Sequence, residues 1–265
     1  MSRKIAHLPD RALVRVAGPD REAFLHGLLS QSTLGMAPGE LRFGALLQPQ
    51  GRLLFDLFIL AEPEALVLDV AADRREALIQ RLSLYRLRSR VEIAPDPRPV
   101  FATWGEGAEG VLDPRLPGLG GRIYGDAANN AGPEDYARHR LSLGVPDPGR
   151  DADDKTYPIE ANFDLLNGID FQKGCFIGQE TTSRMKRRGQ VKSRMLPITF
   201  EGPPPPFGSE VLSGELRAGQ VLNGVDGSAM ALLRLDRLED LCACEQPVRA
   251  LIPQGMASLL ALAAP

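Results

Sequence analysis

Cys175 lies in the run Lys173-Gly174-Cys175-Phe176-Ile177-Gly178-Gln179-Glu180. The thiolate is the reactive form of cysteine, and a nearby cation or the positive end of a helix dipole favours it. Lys173 stands two residues upstream, and residues 175–188 read as a helix ending at Gly189, which places Cys175 in its first turn. Local setting alone supports a reactive thiol and a buried, space-filling one equally.

Two carboxylates invite similar scrutiny. Asp56 interrupts the apolar strand Leu53 to Leu60, and on a period of two it shares a face with Leu54, Phe58 and Leu60. A carboxylate there is paired, hydrogen-bonded or neutral, unless that face looks into solvent at a sheet edge. Glu160 sits among Tyr157-Pro158-Ile159 and Ala161-Asn162-Phe163, where it suits a paired N–H donor on a heterocycle or is simply exposed. Arg184, Lys186, Arg187, Arg188, Lys192 and Arg194 gather at a helix end, either as a solvated terminus or as an anion site. No aromatic residue interrupts that stretch, which weakens an RNA reading. Cys242 and Cys244 form a lone C-x-C pair and read as structural. The histidines His7, His26 and His139 show no metal-ligand spacing, so no metal is expected.

The elements that must position these groups are an α+β body and a β-rich end. Ala12 to Ala17 reads as a strand, and Gly18-Pro19-Asp20 opens a helix with Phe24, Leu25, Leu28 and Leu29 inward. Phe43 to Leu47 and Leu53 to Leu60 flank the turn Gln48-Pro49-Gln50-Gly51. Leu66 to Ala71 is a strand, and Asp73 with Glu76 reads as the capping box of the next helix. Pro133 to Leu143 is a further helix. After residue 190 short apolar stretches alternate with Gly-rich turns, the pattern of a small barrel.

The 265 residues are 43% hydrophobic and 25% charged with net charge −3, ordinary values for a globular chain and no polycation for nucleic acid. Three cysteines give no disulfide framework. No run is long enough to span a membrane, and the first ten residues lack a secretory h-region, so a cytoplasmic location is expected.

The chain resembles the YgfZ-type folate-binding proteins, bacterial relatives of a mitochondrial iron–sulfur assembly factor. KGCFIGQE at 173–180, followed by Arg184 and Gly189, carries the resemblance most specifically. It extends through FLHGLLSQ (24–31), GALLQPQGRLLFDLFIL (44–60), YRLRSRV (85–91), RLSLGVP (140–146), IEANFDLLNGIDFQKGC (159–175) and GQVLNGVDGSAMALLRL (219–235). That family is in turn similar to the aminomethyltransferase of the glycine cleavage system.

The resemblance implies an α+β cloverleaf of three subdomains around a folate pocket, with a small C-terminal β-barrel. Residues 1–189 would form the folate-binding body, its two subdomains intertwined and the second at roughly 45–125; residues 190–265 would form the barrel. It implies tetrahydrofolate as cofactor, with Glu160 on the pterin and Gln179, Glu180 and Arg184 as further contacts. It implies Cys175, Lys173 and Asp56 as the chemical residues, iron–sulfur client or assembly proteins as partners, and a monomer without membrane partner. The transferase carries two adjacent acids where this chain has Phe55-Asp56, and an Asn-Ala-type segment where it has Asp69-Val70-Ala71-Ala72. Those departures put aminomethyl transfer in doubt, and leave three alternatives: cluster assembly or repair, one-carbon transfer, and a non-catalytic adaptor for a client protein or tRNA.

Overall fold

The computed structural model describes residues 2–189, 191–252 and 257. Three antiparallel sheets carry the chain. The five-stranded sheet has the order β3-β4-β5-β2-β6. Its strands are β2 (Arg11–Ala17), β3 (Leu41–Leu47), β4 (Leu53–Ala61), β5 (Ala65–Ala71) and β6 (Glu92–Asp96). The four-stranded sheet, β1-β7-β9-β8, comprises β1 (Lys4–His7), β7 (Val100–Trp104), β8 (Val111–Leu112) and β9 (Gly121–Tyr124). The third sheet comprises β10 (Ser193–Thr199), β11 (Glu210–Ser213), β12 (Leu216–Val225), β13 (Ser228–Arg234), β14 (Leu241–Ala243), β15 (Gln246–Pro247) and β16 (Arg249–Ala250). Its order is β15-β14-β11-β12-β13-β10-β16. Only Val248 separates β15 from β16, yet they end that order on opposite sides, so the sheet curls into a nearly closed barrel.

Helices α1 (Arg21–Leu28) and α2 (Arg75–Arg86) cover one face of the five-stranded sheet, burying Leu25, Leu29, Leu78 and Leu82 against Val14, Leu57 and Leu68. Each fully buried leucine contributes about 1.5–3 kcal/mol. The other face joins a core that holds Leu13, Phe43, Phe58, Trp104 and Phe163 together with Met195, Leu222 and Met230 of the barrel. The remaining helices, α3 (Pro133–Ser142), α4 (Pro148–Asp151) and α5 (Gln179–Arg188), lie at the seams. Strands β4 and β5 are buried on both faces, which is why both read as apolar runs rather than as alternation.

Two local expectations are corrected. Asp73 does not cap α2: residues Ala72–Arg74 form a 3-10 turn that runs straight into it, with no side-chain cap. The helix after Cys175 starts only at Gln179, because Gly178 at φ +79° breaks the helical run.

Candidate functional site

Register places Asp56 in a buried ionic cluster. In β4 and β5 Phe58 pairs with Asp69, and in β2 and β5 Arg11 pairs with Ala71. With a period of two, Arg11, Asp56, Phe58 and Asp69 therefore share one face. Arg11 Nη1 donates to Asp56 at 3.0 Å, and its Nε donates to Asp69 at 2.7 Å. From the facing sheet Arg122 donates to the other Asp69 oxygen at 2.7 Å. Arg115 pairs with Asp113 at 2.8 Å, and the guanidinium carbons of Arg115 and Arg122 lie 4.7 and 3.6 Å from the Phe58 ring centroid. Burial and the Asp69 carboxylate push the Tyr124 phenol well up, so it stays a neutral donor to Asp69 at 3.2 Å. Asp56 is 4% exposed and does not look into solvent. A Cβ on Gly149 of α4 would stand 3.3 Å from its Oδ1, so the α4 segment closes over it.

Glu160 stands on the other side of that segment. It is half-buried in a run of turns at 158–167, and this run is pinned to β10. Met195 N donates to Glu160 O at 2.7 Å. Arg194 donates to Ile159 O at 2.9 Å and pairs with Asp164 at 2.9 Å. Tyr157 N donates to Glu160 Oε2 at 2.9 Å. Burial pushes the Glu160 carboxyl up, against that hydrogen bond. Glu160 lines a cleft of about 490 Å³ between body and barrel, with Met195, Leu222 and Leu232 as apolar wall. Phe207, 61% exposed, stands at its edge, and Lys155, Arg217, Arg234 and Arg237 bring cations to it. Asp56 lines a different hollow, of about 80 Å³.

The Cys175 loop is a third place. Cys175 is exposed. The Lys173 ammonium turns inward and donates to the carbonyls of His26, Leu29 and Gln31 at 2.5, 2.6 and 3.3 Å. It thus caps the C-terminal end of α1, and burial pushes its pKa down to about 8. The helix that follows is fixed by two glycines. A Cβ on Gly178 would meet Gln48 O at 2.7 Å, and one on Gly51 would meet Thr181 Cβ at 2.7 Å, so the β3–β4 turn and the start of α5 interlock. Glu180 and Arg184 are exposed and only 3.9 Å apart, and neither they nor Gln179 lines the Glu160 cleft. The basic stretch also divides. Arg194 is buried in the Glu160 scaffold, while Lys186 lies 3.6 Å from the Phe171 ring centroid. The Arg188 side chain and residue Gln190 lie outside the described residues.

Most of these partners leave no mark in the sequence. Asp56 and Asp69 each interrupt an apolar strand, and two such acids in neighbouring strands signal that cations must meet them. Nothing in the sequence singles out Arg115, Arg122, Phe207 or Arg217.

Residues 192–258 match the family of the CAF17 C-terminal beta-barrel domain. The chain is 35% identical over 228 residues to the protein of Phaeosphaeria nodorum named iron-sulfur cluster assembly factor IBA57 homolog, mitochondrial. That match covers 74% of this chain and 55% of the relative. The mouse protein named iron-sulfur cluster assembly factor IBA57, mitochondrial is 31% identical, over 88% of this chain and 78% of its own. The human protein of the same name is 31% identical, over 80% and 74%. The chain spans little more than half the length of the fungal relatives from Phaeosphaeria nodorum and Neurospora crassa. Among solved structures, glycine cleavage system aminomethyltransferase T from Bartonella henselae superposes with a TM-score of 0.72 at 15% identity, covering 94% of this chain and 84% of that one. The fold is therefore the aminomethyltransferase cloverleaf with a C-terminal barrel. The expected cytoplasmic location is corrected, because these relatives are named as mitochondrial. An apolar h-region marks only the secretory route, so its absence could not separate cytosol from mitochondrion.

Proposed function

Because the chain belongs to the family of the iron–sulfur cluster assembly factor IBA57, we propose that it supports assembly or repair of iron–sulfur clusters in client enzymes and binds tetrahydrofolate in the Glu160 cleft. The observation that carries the folate reading is the cleft itself. About 490 Å³ is within the range of small-molecule sites. A half-buried carboxylate and an apolar wall line it, with Lys155, Arg217, Arg234 and Arg237 as cations beside Asp151 and Asp153. Such a carboxylate suits the adjacent N–H donors of a pterin, the wall suits the aryl part, and Lys155 and Arg217 suit the carboxylates of the glutamate tail. The tail thus belongs to this rim and not to α5.

Cys175 is the thiol for the cargo. Clusters are held by about four ligands, and Cys175 is the single cysteine of its loop, so it offers one ligand and a client or carrier supplies the others. Asp56, paired with Arg11 and covered by Gly149, is the structural carboxylate of this reading rather than a base for amine-to-folate transfer.

Calorimetric titration of tetrahydrofolate into the wild type and Glu160→Ala tests the cleft. Saturable binding that collapses in the variant is expected; equal binding to both would remove folate from this cleft. Cys175→Ser should abolish cluster-supporting activity while keeping folate affinity, and full activity in that variant would sink the thiol's role.

A further inference from the structure

The turn after α2 holds two leucines in water. Leu84 is 71% exposed and Leu87 is 89% exposed, three residues apart at the end of the helix. Leu87 adopts φ +43°, ψ −107°, outside the left-handed region that a leucine even rarely enters. A backbone strained to present an aliphatic side chain that buries nothing within its own chain points to a surface that is covered by something else. Leu87, Arg88 and Ser89 form one wall of an open groove of about 840 Å³, whose other wall is Asp20, Ala23 and Phe24 of the α1 entry.

Charge says what covers it. The groove's own carboxylate, Asp20, is held by Arg90 at 3.0 Å, and Glu76 by Arg75 at 3.1 Å. Among the described residues Arg81, Arg86 and Arg88 form no ion pair, and all three are exposed. In a chain of net charge −3 this is a local excess of unpaired cations around two apolar anchors.

We propose that the α1–α2 groove and the adjoining end of α2 dock an acidic segment of a partner protein, with an aliphatic side chain on Leu87 in the groove and Leu84 beside it, and carboxylates on Arg88 in the groove and on Arg81 and Arg86 of the adjoining α2 surface. The groove also has a route to Cys175. Its far wall is the first turn of α1, and Lys173, two residues from Cys175, grips the carbonyls at the other end of the same helix. At 1.5 Å per residue α1 is about 12 Å long, so the groove and the carbonyls that Lys173 grips are joined by one short helix. On the reading of Cys175 as the cargo thiol, that partner is a protein that delivers or receives the cluster.

The test selects a random dodecapeptide phage library against the full chain, and measures the enriched sequence as a labelled synthetic peptide by fluorescence anisotropy. Enriched peptides should carry an aliphatic residue flanked by Asp or Glu. Their affinity should fall about 10-fold or more in Leu84→Ser/Leu87→Ser and in Arg86→Glu/Arg88→Glu. No enrichment, a consensus without acids, or equal binding to the leucine variant would overturn the assignment. So would self-association of the wild type that the leucine variant loses, which would give the face to a second copy. Tetrahydrofolate titration into the same variants should be unchanged, so loss of the folate reading and loss of this one are separately visible.

Discussion

The cluster under Phe58 and the cleft at Glu160 use the same residue types, carboxylates and arginines, to opposite ends. In the cluster, carboxylates and guanidiniums meet at 2.7–3.0 Å, and the hollow among them holds about 30 Å³. That leaves room for a water or two. In the cleft, Glu160 is half-buried with one backbone donor, and the cations stand across about 490 Å³. A paired buried charge is committed to the fold. A carboxylate that lacks a cationic partner and faces space keeps its binding capacity for a ligand. Asp151 lies on the boundary: its carboxylate accepts from Asn223 N of the barrel at 3.2 Å and from Asp147 N at 2.7 Å, yet Arg140 remains 3.8 Å away.

The largest effect should come from breaking the cluster. Asp69→Ala leaves Arg11 and Arg122 buried without their shared partner and should cost about 3–5 kcal/mol in urea unfolding. A loss below about 1 kcal/mol would mean that the cluster is not what holds the two sheets together. The next effect depends on pH. Burial raises the Asp151 pKa from 3.8 to about 6, so the folded state binds its proton more tightly than the unfolded chain. Its contribution is full below the unfolded pKa and is lost as pH rises through about 6. The stability of Asp151→Asn relative to wild type should therefore improve by up to about 3 kcal/mol between about pH 4 and 7. A flat difference would show that Asp151 titrates normally. The smallest effect on stability should be at the cleft. Glu160→Gln removes a carboxylate whose pKa burial has raised, so its unfolding free energy should stay within about 1 kcal/mol of wild type, on the favourable side at neutral pH. Its tetrahydrofolate affinity should drop about 10- to 100-fold. If the variant instead loses stability and keeps affinity, the roles of the two regions are exchanged.

Much of the body was legible because its signals are local. The β3–β4 hairpin, the α1 and α2 stripes and the Gly-rich barrel follow from periodicity and turn chemistry, which neighbouring residues specify on their own. The KGCFIGQE motif was equally visible, and its helix start moved by four residues only because Gly178 takes a positive φ to pass the β3–β4 turn. Lys173 shows the limit of such reading. Two residues from Cys175 in sequence, it spends its three donors on carbonyls at the end of α1 and in the loop just after it, about 145 residues away in the chain.

The sequence by itself determined the β3–β4 hairpin, strands β2 and β5, helices α1, α2 and α3, the barrel pattern and the identity of the residues able to do chemistry, but not the four-stranded sheet β1-β7-β9-β8. Only the tertiary structure decided which carboxylate is locked and which is free. Asp56 and Glu160 differ little in local apolar context, and charge pairing is decided by what arrives from elsewhere. Arg11 reaches Asp56 from a strand 45 residues away, and Gly149 of α4 closes over it. Among the described residues no arginine makes the corresponding contact at Glu160, and there the body and the barrel meet across open space.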